Sequence, residues 1–446
     1  MESTVTCVLI ASAGVLVAAL VCLLPGLHIY NVAGIALLVL STPGGAQSPQ
    51  SVGYLFLGMT TGYAVLSTLP TVFFSAPDES SVFMLRPAQA YLLRGRGCEA
   101  VLLSGLGGLG GIALLALLTP TASFLLPGLR AILQPHLHWI LWAIVAYLLL
   151  SEWPKGSQRA PVGWRRCWDG WRNLTAGIVT FALSGVMGFI LLYRSPVPVT
   201  AAHQNLLPAF VGLFAVPAIL QNLISRVELP EQHAVASLDV TLDLLAQGTL
   251  AGALGGLFAA FFPVVTGGIG GLLAGHATAQ RDDRVFLVSQ GASKVLYYVG
   301  ALLLFFVPRL HLTRGGMAWM LSTRWGPVGA LGADTLRFYY VAMAAVVASG
   351  ALSFLLLIPL ARLTARLVTV VDYHWISLAA MTVLLVIVVV TTGWGGMLVC
   401  AAATGIGLIP ILWGARRSNC MGVLLLPLGL SMVGMGSIVA GWLGLT

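Results

Sequence analysis

The chain has 446 residues, 58% of them hydrophobic and only 8% charged, against roughly a quarter charged in a typical soluble domain. That composition excludes a soluble globular chain and points to a polytopic membrane protein. The formal net charge of +8 does not indicate nucleic acid, because the arginines are dispersed between apolar runs and form no clustered basic face.

In chain order, the first apolar run, 5–24, follows MESTVTC without a basic residue. A second apolar run follows at once, so a retained membrane segment is expected there, not a cleaved signal. The two runs form one stretch, AALVCLLPGLHIYNVAGIALL, broken at Pro25. Pro25 has no N–H to donate and clashes with the preceding turn, and Gly26 adds freedom, so a helix should end there and restart after LPGLH. Crossings of helical length are predicted near 53–75, 99–119, 137–151, 173–193 and 205–225. A second broken stretch then appears, GGLFAAFFPVVTGGIGGLLAG around Pro263. Further crossings are predicted near 285–307, 336–361, 367–392, 394–414 and 420–443. The stretches 5–40 and 241–278 are read as helical hairpins, re-entrant or fully spanning.

Each broken stretch leads into a similar span. Phe56-Leu57 and Val65-Leu66 match Phe286-Leu287 and Val295-Leu296 at one common offset. The predicted fold is therefore all-α, with about ten transmembrane helices, two broken hairpins, and two repeats at 1–225 and 226–446. Placing the loop of Lys155, Arg159, Arg165, Arg166 and Arg172 in the cytoplasm puts 15 of the 22 basic residues on that side, as the positive-inside rule requires. The hairpins then open from opposite faces, both termini lie outside the cytoplasm, and the repeats are inverted. Paired, interrupted segments in two inverted halves mark the binding site of a secondary transporter in the plasma membrane.

Unpaired backbone in hydrocarbon costs several kcal/mol per group, so such breaks persist where protein, water or ligand satisfies them. The half-helices that restart would offer free N–H groups to an anion. Candidate binding residues are thus Pro25, Gly26, His28 and Asn31 at the first break and Pro263, Thr266, Gly267 and Gly268 at the second. Lys294 is the charged residue placed well inside a span, with Gln290 and Ser293 beside it at helical spacing. A lone ammonium at membrane depth is expensive and marks function, although a lysine snorkelling to the interface is the simpler alternative. The equivalent helix offers Thr60 and Thr61, with Ala64 where Lys294 stands. Asp78 and Glu79 end the first repeat span and are candidates for ion coupling; a solvated acidic loop end is the competing reading. His136 and His138, two apart, do not share a helix face, and Arg281-Asp282-Asp283-Arg284 reads as a solvated turn. The six cysteines show no CxxC spacing and read as packing residues. With no HExxH, Walker A or GxSxG pattern, no enzyme activity, metal or cofactor is expected beyond a coupling Na+ or H+.

The order PGLHIYN, FLGMTTGY, PDESSVFMLRPAQAYLLRGRGCEAV and FFPVVTGGIGG resembles the large permease subunit of tripartite tricarboxylate transporters, closest to its archaeal predicted-membrane-protein branch. The resemblance implies inverted repeats with hairpin tips at Pro25, Gly26, Pro263 and Gly267, and cation-driven uptake of organic anions. It also implies an extracytoplasmic binding protein and a small membrane subunit as partners. The Asp-Gly-Tyr-Pro-like segment of better-known members is replaced here by MLRPAQAYLLRGRG. The leading expectation is a gradient-driven transporter of a small organic anion, a carboxylate by preference. The alternative is a translocase for a phosphate-headed lipid such as polyprenyl phosphate, a layout that bacterial carriers of this kind resemble.

Overall fold

A computed structural model describes residues 3–24, 27–40, 49–153, 163–198, 205–225, 229–233, 238–263, 265–278, 282–325 and 335–446. The described residues are helical, without a β-strand. The chain runs through α1 (Thr4–Cys22), α2 (Ile29–Leu40), α3 (Pro49–Leu66), α4 (Thr68–Phe73), α5 (Leu85–Leu92) and α6 (Gly97–Leu133). Next come α7 (Leu137–Leu150), α8 (Trp164–Tyr193), α9 (Leu207–Phe210), α10 (Val216–Ser225), α11 (Leu242–Phe261) and α12 (Gly267–Ala277). The last six are α13 (Asp283–Phe306), α14 (Gly315–Trp325), α15 (Thr335–Val370), α16 (Tyr373–Trp413), α17 (Gly422–Met432) and α18 (Gly436–Trp442). Among the described residues, 9 helices are long and apolar enough to cross a membrane, or up to 10 if the bent pair at the end is one span.

Both broken stretches are helix, break, helix. The first arm of each is long, 19 residues in α1 and 20 in α11, and the second short, 12 in α2 and 11 in α12. At ~1.5 Å per residue the long arms reach ~30 Å, the hydrocarbon thickness, and the short arms about half of it.

Several predicted crossings differ in extent; the one near 173–193 begins already at Trp164, as α8. The one near 99–119 continues as α6 to Leu133, with Pro120 and Pro127 inside the helix. Proline is tolerated there because neighbouring groups in a membrane protein re-satisfy the freed carbonyls. The crossing near 336–361 extends to Val370. The last, near 420–443, is no straight helix: a 3-10 turn, Arg417–Met421, leads into α17, and α18 is bent away by 117°. Gly434 supplies the turn with a φ of 76°, a conformation open to glycine. The predicted boundary between 367–392 and 394–414 falls on a real kink, Gly393 at φ 67°, inside α16.

The fold divides into two compact units. One comprises Met1–Ala131 and Ser225–Ala380 and holds one contiguous hydrophobic core. Its centre is formed by α3–α4 and α13, each with 94% of its apolar window buried inside the protein. α1 packs on α3 and α11 on α13. Small residues allow the close approach: a side chain at Gly58 would collide with the Ala11 carbonyl, and one at Gly252 with that of Ser289. The other unit comprises Ile132–Ile224 and Met381–Thr446. There α17 lies along α8, with Gly188 against the Val423 carbonyl and Gly422 against that of Phe181. Buried Glu152 accepts from the Arg416 N–H at 2.7 Å and from the Asn419 amide at 3.3 Å.

Of the six cysteines, Cys167 is exposed and the other five are buried and unbridged. The Arg281–Arg284 segment is more than a solvated turn where it is described. Asp282 caps α13, accepting from the Arg284 N–H at 2.8 Å and pairing with its guanidinium at 2.9 Å. Those bonds from Arg284 hold the Asp282 carboxyl below the usual carboxylate range.

Candidate functional site

Most of the candidate residues that are described converge within the first unit, around α13. Gln290, Lys294 and Tyr298 recur every fourth residue and so form a single stripe on this helix. Each member meets a different neighbour.

Tyr298 faces the first break and the loop after α4. His28 stands directly before α2, where its Nδ1 accepts the Tyr30 N–H at 3.2 Å, as a capping side chain does. Its Nε2 lies 3.0 Å from the Tyr298 hydroxyl and 3.4 Å from Glu79 Oε1. Tyr298 Oη also reaches Asp78 Oδ2 at 3.1 Å and Glu79 Oε1 at 2.8 Å. The rings of Tyr30, Tyr63 and Tyr298 surround the imidazole, with centroids 4.5, 5.0 and 5.9 Å away. Asp78 and Glu79 are thus drawn into the protein, and the solvated loop end considered for them is not what forms. The donor atoms of His28, Asp78 and Glu79 lie within 4.8 Å of one another, close enough to hold a cation.

Lys294 faces the break between α3 and α4. Its ammonium donates to Ser67 Oγ at 3.1 Å and Thr68 Oγ1 at 2.8 Å, and the residue is 2% exposed. It does not snorkel. Among the described residues no carboxylate pairs with it within 4.0 Å. Thr68 continues the chain of hydroxyls to Ser104 on α6 at 3.2 Å.

Gln290 faces α12. A Cβ added to Gly271 would lie 2.6 Å from its amide nitrogen, so the side chain rests on the half-helix backbone. Neither end of this buried amide has a hydrogen-bond partner among the described residues. Ser293, one position before Lys294, donates to the Gly267 carbonyl at 2.9 Å.

The second break ends at Thr266, which caps α12 by accepting the Ile269 N–H at 3.4 Å and donates to the Glu79 carbonyl at 3.2 Å. Gly267 and Gly268 are needed where they stand. A Cβ on Gly268 would come within 2.8 Å of the Glu79 carbonyl, and one on Gly267 within 3.1 Å of Tyr297. The acidic loop therefore lies directly on the start of α12. Thr266→Val, which keeps the volume and loses both bonds, should lower stability by about 1–2 kcal/mol. Thermal unfolding in detergent checks this, with Thr266→Ser expected to melt near wild type.

Other candidates separate more clearly. Thr61 bonds its own helix at the Leu57 carbonyl, 2.8 Å away, whereas Thr60 is buried with its hydroxyl unpaired among the described residues. Asn31 is half-buried, its N–H bonded to the His28 carbonyl at 3.0 Å. Pro263 is half-buried in the turn after α11. Pro25 and Gly26 lie outside the described residues.

Sequence reading missed Tyr298, Ser80, Ser81 and Arg314. Tyr298 carried a signal, since it sits four residues after Lys294 on the same helix face. Ser80 and Ser81 both bond Asp78 Oδ1 through their N–H and hydroxyl groups, at 2.6–3.1 Å. Arg314 donates to the Ala259 carbonyl at 3.2 Å, in the last turn of α11, where a cation suits the helix dipole.

Residues 8–422 match the model of the tripartite tricarboxylate transporter TctA family. An uncharacterized protein of Methanocaldococcus jannaschii is 23% identical over 419 residues, covering 93% of this chain and 96% of that one. No solved structure matches the chain significantly. The family works with a periplasmic binding protein and a small membrane subunit. With nearly its whole length matched and its apolar helices in place, the chain belongs to the tripartite tricarboxylate transporter TctA family, as a multi-pass membrane transporter of organic anions.

Proposed function

We propose that this chain is a secondary transporter that moves a small carboxylate by alternating access, coupled to a proton or sodium gradient. The carrying observation is Lys294: a buried ammonium held by two neutral hydroxyls and without a paired carboxylate among the described residues. A cation left in that state is costly unless its partner arrives from outside. The unpaired Gln290 amide one turn earlier supplies neutral donors for the same anion. We read Thr60, Ser293 and the glycine-lined start of α12 as the remaining contacts, and Asp78 and Glu79 as the ion-coupling pair.

The halves 1–225 and 226–446 are read as inverted repeats with both termini outside the cytoplasm. In support, Gly14 and Gly252 each stand eleven residues before the proline of their break. Each lies against a backbone carbonyl of the following span, Leu55 and Ser289 respectively.

The test is uptake of labelled tricarboxylates and dicarboxylates into proteoliposomes under imposed sodium or proton gradients. Gradient-stimulated uptake is expected, together with thermal stabilisation by the transported acid. Polyprenyl phosphate co-purifying in native mass spectrometry, with no carboxylate stabilising the protein, would favour the lipid-carrier translocase instead.

A further inference from the structure

We propose that the second compact unit binds an anionic phospholipid, with the phosphodiester headgroup held between Arg172 near the start of α8 and Arg416 just after α16. Every residue of this site belongs to the unit Ile132–Ile224 and Met381–Thr446, whereas Lys294 and both broken stretches belong to the other.

The length of α8 sets the depth of the site. The helix has 30 residues, Trp164–Tyr193. At ~1.5 Å per residue it is ~45 Å long against ~30 Å of hydrocarbon, so about ten residues stand outside the apolar layer. The polar end is the first, WRRCWDGWRN over 164–173. Trp164, Trp168 and Trp171 recur there at steps of four and three and share one stripe of the helix. Trp153 meets Trp171 edge-on with ring centroids 5.3 Å apart, and Trp413, at the end of α16, meets Trp168 at 6.2 Å. All five indoles are exposed. Tryptophans gathered in this way belong at the headgroup level of a bilayer, where one edge is apolar and the other wet.

Two arginines stand among these rings. Arg172 follows Trp168 by four positions on α8, and Arg416 follows Trp413 by three. The chain leaves α16 through Gly414 at φ 78°, and a Cβ built there would lie 3.9 Å from Arg172 Nη2. Arg172 therefore reaches the turn that carries Arg416. Both side chains are half-buried, and neither Arg172 Nε nor Arg416 Nη1 has a hydrogen-bond partner among the described residues. No carboxylate of those residues lies within 4.0 Å of either guanidinium. Glu152 is engaged otherwise, with the Arg416 backbone N–H and the Asn419 amide. Arg417 donates to Gln221 Oε1 at 2.9 Å. The buried Ser418 hydroxyl, two positions after Arg416, also lacks a partner among the described residues. Half-buried cations without a counter-ion keep their desolvation cost, and an anion between them offsets it.

A phosphodiester fits these demands. Its two unesterified oxygens accept from the planar fork that arginine presents, and its acyl chains continue along the indoles. A free phosphate would gain nothing from those rings. A zwitterionic headgroup would bring an ammonium to a unit whose two acidic residues, Glu152 and Asp169, stand against eight lysines and arginines. The charge excess selects a lipid with net negative charge, and the positive-inside reading places this end at the leaflet where such lipids attract arginine.

The experiment is native mass spectrometry and thermal unfolding of the full-length protein in neutral detergent, with phosphatidylglycerol, phosphatidylcholine or inorganic phosphate added. Wild type is expected to retain one phosphatidylglycerol through collisional activation that strips phosphatidylcholine, and to melt higher with phosphatidylglycerol alone. Arg172→Gln and Arg416→Gln should each weaken phosphatidylglycerol binding about fivefold, and the double variant more. Arg366→Gln, at an exposed position of α15 in the other unit, should bind as wild type does. Equal retention of the two lipids by wild type, wild-type affinity in the double variant, or an equal loss in Arg366→Gln would overturn the proposal. Stabilisation by inorganic phosphate matching that by phosphatidylglycerol would overturn it too, since the site would then take a free anion. The wild-type comparison of the two lipids needs no variant, so it decides the matter if the substituted proteins do not fold.

Discussion

Replacing Lys294 with methionine is expected to abolish transport while leaving the protein as stable as wild type or more so. The two outcomes come from one physical fact. The Lys294 side chain is 2% exposed and, among the described residues, its ammonium is bonded only to the hydroxyls of Ser67 and Thr68. Desolvating a cation costs several kcal/mol, and neutral hydroxyls return part of that. Methionine keeps the unbranched stem, fills the same volume and removes the penalty. Of the two hydroxyls, that of Thr68 keeps Ser104 as a partner at 3.2 Å. Transport moves the other way. Truncating one partner of a buried charge pair costs about 2–5 kcal/mol, which is roughly 30-fold to several thousand-fold in affinity. Lys294→Ala should also fail to transport, but it leaves a cavity and melts about 2–4 kcal/mol lower, so methionine separates charge from packing. Arginine is not a conservative replacement here, because its planar fork does not fit a site shaped for a compact ammonium. Uptake into proteoliposomes and thermal unfolding of the same preparations check both halves. Wild-type uptake by Lys294→Met would remove the lysine from the mechanism.

Lys294 was legible in the sequence because one charge inside an apolar run needs no partner to stand out. The two breaks had a local sign as well, a proline next to glycine or a glycine-rich run, and α1 ends at Cys22 and α11 at Phe261, each shortly before one of them. Matching Phe56-Leu57 with Phe286-Leu287 also led to the two central helices, α3 and α13, before any contact was known. What stayed hidden depended on distance along the chain. Asp78 and Glu79 looked like a loop end, since nothing nearby shows that Tyr298 lies against them, about 220 positions later. Ser80 and Ser81 read as ordinary loop polarity until their four bonds to one carboxylate oxygen assigned them to holding its charge. The extent of α6 was misjudged for a different reason. Pro120 and Pro127 are stop signals in a soluble helix, whereas in a membrane the alternative to helix is an unsatisfied backbone, and the helix continues. The bend before α18 had a sign in Gly434, although a glycine in an apolar run is as often a packing residue.

A side chain placed at Gly107 or Gly291 should pull the site apart from a helix interface that touches none of its polar atoms. A Cβ on Gly107 of α6 would collide with the Val288 carbonyl of α13, and one on Gly291 of α13 with the Ser104 carbonyl of α6. The contact is reciprocal and backbone to backbone, so no rotamer change relieves it. Valine at either position must push the helices apart. Overpacking of this kind costs about 1–3 kcal/mol, with the upper end expected because both neighbours are backbone. Separation also carries α13 away from the Thr68–Ser104 pair, so Lys294 loses the hydroxyls that hold it. Gly107→Val and Gly291→Val should therefore reduce transport as well as melting temperature. Since either one already separates the helices, the double variant should cost clearly less than the sum of the two, the mark of coupled positions. Gly128, on the same α6, is the control. Nothing lies within 4 Å of a Cβ built there, so Gly128→Ala should leave transport unchanged and raise stability by about 0.5–1 kcal/mol through helix propensity. Thermal unfolding and uptake of the four variants check the argument. Additive losses at Gly107 and Gly291, or wild-type transport in either, would mean that the α6–α13 crossing does not set the position of Lys294.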